Sequence, residues 1–259
     1  MSLARTALRL ATVEALNADP TIAFLCQGRV FDSRLSELEA ADPVPVIVVS
    51  TEEANGRGTS DNNGGPPFFD KCELVIEFSL RVTAPGEGGG VDVMLVETDR
   101  EAESRLDLLE HRAVEAVTVA DTPQSRLIRK HVTRRVTEYK SIRFSSDETA
   151  LKLAVRMLHL TTELKGDDRF DATVAPTGPY AALPQPLRAV AEAMPPGSSG
   201  KATCDQLAAL ATGEPIVPFH GLDATVAPVV IDPASPPVPP TSAGAGYGNF
   251  GVSASPEPL

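Results

Sequence analysis

Apolar and polar positions alternate with clear periods through the first 165 residues and become sparse afterwards. Residues 2–17 put Leu3, Ala7, Leu10 and Ala11 on one stripe, with Ser2 placed as N-cap and Pro20 just beyond, which predicts an opening amphipathic helix. Gly28-Arg29-Val30-Phe31-Asp32 reads as a turn into a short extended piece, and residues 43–51, PVPVIVVST, as a buried strand. Residues 52–70 are dense in Gly, Asn, Asp and Pro and predict a long mobile loop. The cleanest alternation follows: Cys72, Leu74, Ile76, Phe78, Leu80 and Val82 face one way, with Lys71, Glu73, Glu77, Ser79 and Arg81 among the residues facing the other.

After the breaker PGEGGG at 85–90, residues 92–118 carry Ala102, Leu106, Leu109 and Ala113 at helical spacing and predict a long surface helix packed on a sheet. Thr122-Pro123 is an N-cap followed by proline at the first helical position, opening a short helix to about His131. Extended runs at 134–145 and 150–164 close the first part. In the second of these the apolar face switches after Met157, which predicts a bulge or burial on both faces. The fold class expected is α+β, a mostly antiparallel four-stranded sheet flanked by helices.

At residue 165 the character changes. Residues 166–227 form an extension with two short helices, 184–194 and 200–211, expected to make a helical hairpin; the hexapeptide DATVAP stands on either side of it, at 171–176 and 223–228. Residues 228–259 hold eight prolines and four glycines with Asp232 and Glu257 as the charges, a tail that cannot repay its ordering entropy and is expected to be flexible. The domain map is therefore a body at 1–165, an extension at 166–227 and a tail at 228–259.

The 259 residues carry 23 Lys and Arg against 35 Asp and Glu, a formal charge of −12, which argues against bulk attraction to nucleic acid or anionic lipid. Cys26, Cys72 and Cys204 are odd in number and far apart, fitting neither a disulfide framework nor zinc-ligand spacing, so a reducing compartment is expected and no cofactor or metal is. No stretch approaches 18 apolar residues, so no membrane partner is expected.

Catalytic signatures are missing as well: there is no GxSxG, GxxxxGK[ST], HExxH or CxxC. His111, His131, His159 and His220 make no i, i+4 pair, Asp167-Asp168 has no partner base at readable spacing, and Cys72 lies on the inward face of its strand. The one charge anomaly is residues 126–143, with Arg126, Arg129, Lys130, Arg134, Arg135, Lys140 and Arg143 against Glu138 alone. Such a run is a solvated face, a patch that meets an acidic protein surface, or, least well supported by its single Tyr, a nucleic-acid contact. The helix at 92–118 supplies acidic residues that include Glu101 and Glu103, and patches of opposite sign on one chain suit head-to-tail rings. Candidate contact residues are therefore Arg126, Arg129, Lys130, Arg134 and Arg135 in the basic run, Glu101 and Glu103 on the acidic helix, and Arg57 and Asp61 in the polar loop.

In order and texture the first 165 residues resemble the phage tail terminator proteins. The resemblance is carried by an N-terminal helix followed by GRVFDS, by PVIVVST leading into a polar loop, by the strand KCELVIEFSL and the helix ESRLDLLEHRAVEAV, and by the closing pair VTEYKSIRFSSDE and ALKLAVRMLHLTTEL. It implies a non-enzymatic virion protein, assembled in the host cytoplasm, that forms a ring of six copies at the head-proximal end of a tail. Its implied partners are itself, the tail tube protein and the connector or neck proteins, with DNA crossing the channel unbound. Alternatives are another neck, tail-completion or head-closure protein, or an enzyme whose site is assembled from scattered residues such as Asp167, Asp168 and His159.

Overall fold

The computed structural model describes residues 2–33, 44–58, 68–83, 99–146, 151–166 and 175–213. In chain order the elements are α1 (Ser2–Asn17), α2 (Pro20–Cys26), β1 (Val30–Asp32), β2 (Val46–Gly58), β3 (Phe68–Thr83), α3 (Asp99–Thr118), α4 (Pro123–Leu127), β4 (Thr133–Ser146), β5 (Leu151–Leu164), α5 (Leu187–Ala193) and α6 (Ser199–Thr212). A π-helical turn, Ile128–Val132, joins α4 to β4.

The α+β class holds, with two corrections to the expected sheet. It has five strands in the order β1-β2-β3-β5-β4, and it is mixed, because the short extended piece Val30–Asp32 pairs parallel to β2 while the other neighbours are antiparallel. The second correction concerns the polar loop expected at 52–70. Residues 52–58 continue β2 and 68–70 open β3, in a register that pairs Ala54 with Cys72 and Gly58 with Phe68 after a bulge between Thr51 and Ala54. Cross-strand pairing overrides the weak local propensity of this Gly- and Asn-containing stretch. Residues 59–67, with Asp61, lie outside the described residues, as does the tail 228–259.

The alternation read in β3 sets the layers. Cys72, Leu74, Ile76, Phe78 and Leu80 are buried, and with Ile47 and Val49 of β2 and Leu158, Leu160 and Leu164 of β5 they form one core with the helices. Val46, Val75 and Val155 are buried on the opposite face of the sheet, outside that core cluster. The switch of apolar face along β5 is thus burial on both sides of a strand held between β3 and β4. The β3–β5 ladder runs without a shift from Lys71–Glu163 to Thr83–Leu151, and the bulges sit in the β4 pairing instead.

Helix α1 begins at Ser2 itself and lies deeper than an amphipathic surface helix. Ala4, Ala7, Leu8, Leu10, Ala11, Val13, Ala15 and Leu16 are all buried. Its outer side meets Leu187, Val190 and Ala191 of α5, which join the same core together with Tyr180, Leu183, Met194 and Cys204. One compact unit accordingly runs from Met1 to Val217, and residue 165 falls inside it; the second unit, Pro218–Leu259, lies outside the described residues. The turn into α6 approaches α1 closely: a Cβ at Gly200 would stand 2.9 Å from Met194 Sδ and 3.6 Å from Glu14 Oε1.

Helix α2 is held by a residue with two tasks. Asp19, 6% exposed, caps it by accepting from the backbone N–H of Thr21 (2.9 Å) and Ile22 (3.0 Å), and its other oxygen accepts from Arg112 Nη2 of α3 at 2.6 Å. Pro20 follows at the first helical position. Asp19→Ala is expected to cost about 2 kcal/mol, from the lost cap and the lost ion pair with Arg112, which keeps Glu115 as its other partner. The measurement is a urea titration followed by circular dichroism, and an unchanged midpoint would contradict this account.

Glu14 gives a test of opposite sign. Burial lifts its carboxyl above the usual 4.5, against a smaller lowering by a hydrogen bond with Ser198. The folded state then holds the proton more tightly than the unfolded chain, so the ionised group costs stability as pH rises through the folded pKa. Glu14→Gln should raise the melting temperature at pH 7 and have little effect at pH 4; a variant that melts lower at pH 7 would show that the carboxylate is stabilising.

Candidate functional site

The basic run is divided among several elements, and three of its seven cations, Arg126, Arg135 and Arg143, have ion-pair partners among the described residues. Arg126 of α4 is exposed and pairs with Asp121 at 2.9 Å. Arg129 and Lys130 stand on the π-helical turn; Arg129 is half-buried, with Nη1 buried and without a hydrogen-bond partner, while Lys130 is exposed and its backbone carbonyl accepts from Lys165 Nζ. Arg135 forks onto Glu163, Nε to Oε2 at 2.8 Å and Nη2 to Oε1 at 2.9 Å. The Arg135 hydrogen bond holds the Glu163 carboxyl below its ordinary range. Arg143 pairs with Glu103 of α3 at 2.6 Å.

The acidic helix is likewise engaged within the chain. Glu103, Asp107 and Glu110 recur along one face of α3, and Arg156 of β5 reaches all three, at 2.8 Å to Glu103 and 3.2 Å to Glu110 and closer to Asp107. Arg156 shares its sheet face with Leu158 and Leu160 and is 16% exposed, so burial opposes its charge while the carboxylates of Glu110 and Asp107 more than offset that. Glu101 is exposed on the same helix. The opposite-signed surfaces expected to meet between copies thus meet in part inside one copy. This clamp escaped the sequence reading, although an arginine at a core position of β5 and carboxylates spaced four and three apart on α3 were both visible.

What the fold does bring together is one end of the sheet. Arg57 of β2 stands opposite Phe69 of β3, and the Arg134 guanidinium of β4 lies over the same ring, 5.2 Å from its centroid. This adds a cation–π contact between residues far apart in sequence. A register shift between Thr133 and Arg135 leaves Arg134 out of the ladder, and that bulge aims it across the end of β5. The β3–β5 ladder stops at Lys71–Glu163 while β4 stays with β5 as far as Thr133–Leu164, and the diverging strands enclose a cleft of about 260 Å3. Phe69, Asp70 and Lys71 line one side of it and Arg134 and Arg135 the other, with Glu163 and Leu164 between.

Inside the cleft, Lys71 Nζ is 3.8 Å from Glu163 Oε1. Asp70 Oδ1 is buried without a hydrogen-bond partner, and burial raises its carboxyl above the ordinary 3.8. The N–H groups of Arg134 have no hydrogen-bonded acceptor among the described residues. Arg57 and Arg134 are the sequence-predicted contact residues this end of the sheet presents to solvent without a described ion-pair partner.

The other titratable groups are explained by packing. Burial pushes the Cys26 thiol up to about 12 and those of Cys72 and Cys204 up to about 11, which keeps all three protonated and unreactive. His159 Nδ1 lies 2.9 Å from Glu73 Oε1 on the sheet face opposite the main core, and its Nε2 is buried without a hydrogen-bond partner. Asp167 and Asp168 lie outside the described residues. Among the described residues, no group of three or more His, Cys, Asp and Glu is arranged to hold a metal ion, and no helix is long and apolar enough to cross a membrane. No family model and no curated protein matches the chain.

Arg156→Gln is expected to lower stability by about 2 kcal/mol at low salt, because three carboxylates on neighbouring turns lose their common counter-charge. Part of the loss should return in 0.5 M NaCl, where their repulsion is screened. Equal denaturation midpoints for the variant and the parent at both salt concentrations would remove the clamp from the account of stability.

Proposed function

We propose that this protein is a ring-forming subunit at the head-proximal end of a phage tail, where it stops growth of the tail tube and makes the tail competent to join the head. The observation that carries the reading is the charged edge of the body: helices and sheet share one core, and the sheet ends in a 14-residue edge strand, β4, bearing Arg134, Arg135, Lys140 and Arg143. A rigid plate with a charged edge suits lateral packing of identical copies. The reading also draws on the order α1, β2, β3, α3, β4, β5, which is the order of the segments through which the sequence resembles tail terminator proteins.

Tube subunits stack by a repeated head-to-tail contact, and the polymer grows until a subunit offers one matching and one non-matching face. In this reading β4 and the Arg57–Arg134 end of the sheet contact neighbours in a six-membered ring, which caps the tube and presents its far surface to the connector. We read α5 and α6 as a helical hairpin clamped on α1 that faces the neck proteins. DNA crosses the channel without specific contact, as a formal charge of −12 favours.

Removing the gene should give overlong or unjoined tails beside filled heads, scored by electron microscopy of lysates. The double variant Arg57→Glu and Arg134→Glu, which touches no described ion pair, should weaken ring assembly in native mass spectrometry and do so most at low salt. Normal tails joined to heads without the gene would sink the proposal.

A further inference from the structure

We propose that the cleft between β3 and β4, beyond the end of β5, is a binding site for the carboxylate side chain of an acidic peptide segment on an assembly partner. The inference deepens the reading of this end of the sheet as an assembly contact, on which the origin of the peptide rests. The site itself is argued from its own chemistry.

Three cations and two carboxylates line the cleft, yet their hydrogen-bonding capacity is unevenly used. Glu163 is engaged on both oxygens by the Arg135 fork and has Lys71 at 3.8 Å. Asp70 Oδ1 is buried and accepts none of the donors of the lining. Arg134 then remains as a planar fork of donors, set over the Phe69 ring and lacking a described acceptor, with the Lys71 ammonium across the cleft, half of its side chain in solvent. Contact with the ring restricts the rotamers of Arg134 before any ligand arrives, so less entropy is lost when two parallel N–H groups take a carboxylate.

Shape favours a carboxylate among oxyanions. Its two coplanar oxygens match the parallel N–H groups of the planar Arg134 fork, and phosphate, whose second charge strengthens attraction to the three cations as well as repulsion from Glu163 and Asp70, is the competitor the test includes. The volume takes one acidic side chain and its adjoining backbone rather than a polymer, which favours a protein partner over nucleic acid. Nor does the acidic helix of the same chain offer the obvious carboxylate, because Glu103, Asp107 and Glu110 are engaged with Arg156.

The test uses the full-length 15N-labelled protein and follows the Arg134 Nε–Hε signal, assigned by its loss in Arg134→Gln, during titration with acetyl-aspartate-amide, its neutral isostere acetyl-asparagine-amide, and inorganic phosphate. Saturable perturbation by the aspartate probe in the millimolar range is expected, at least fivefold weaker with the asparagine probe and with phosphate. Backbone shifts at residues 69–71 should report the same binding, and Lys71→Gln and Arg134→Gln should each weaken it at least fivefold, while Arg126→Gln, whose arginine is exposed and paired elsewhere, leaves it unchanged. Equal response to aspartate and asparagine probes, tighter binding of phosphate, or full binding by Arg134→Gln would overturn the proposal. A flat titration beside normal tail capping removes this site alone; an intact titration beside normal tails in the gene's absence removes the assembly reading and leaves the site.

Discussion

The structure depends on α1 being covered on every side. A helix whose buried positions include Ala4, Ala7, Leu8, Ala11, Ala15 and Leu16 cannot rest on a sheet with its outer face in water, because too much of its circumference is apolar. The alanines let neighbours come close, so the sheet and α3 pack on one side and α4 and α5 on the other. Each large residue in such a position is worth about 2–5 kcal/mol against truncation to alanine. The polar residues of α1 reach outward to fix what covers it: Arg9 holds Asp32 of β1 at 2.5 Å, Arg5 donates to the Glu52 carbonyl, and Glu14 meets Ser198 before α6. Burial of α1 therefore recruits residues 180–208 into the body and fixes the position of β1 as well.

The same economy governs charge. In an acidic chain, cations are scarce and those near carboxylates pair locally before they serve any partner: Arg156 and Arg143 with α3, Arg135 with Glu163, Arg126 with Asp121. Exposed pairs of this kind contribute about 1 kcal/mol or less each, so their effect is mainly to set which charges face outward. Among the described residues that reach the surface without such a partner are Arg57 and Arg134 at one end of the sheet, the latter set over the Phe69 ring beside the β4 bulge.

Elements with local punctuation were legible in the sequence. The alternation of Cys72 to Leu80, the Thr122-Pro123 cap and the periodicity of α3 and β5 each carry their signal within a few residues. Helix α2 carried one too, since Asp19-Pro20 is the same cap grammar as Thr122-Pro123, but it begins so soon after α1 that it reads as the end of that helix. What could not be read locally depends on distant partners. Residues 52–58 are a strand because 68–72 pair with them, Val30–Asp32 is a strand because β2 lies parallel beside it, and the outer face of α1 is core because α5 arrives from 170 residues further on. The cleft belongs to this second kind, since Lys71, Arg134 and Glu163 share a site only through the register of three strands.

A long edge strand is a hazard, because its free N–H and C=O groups invite open-ended pairing with other chains. In β4 two features oppose that outcome. Register shifts near Arg134 and Thr137 interrupt the ladder, and Arg134, Arg135, Lys140 and Arg143 crowd like charges along one strand, so two copies of β4 laid side by side would repel. Pairing through the backbone is thereby disfavoured, and contact through side chains that read the charge and shape of a partner is left. For a contact of that kind the rotation it imposes between partners, and not the ladder of a shared sheet, decides whether an assembly closes or extends.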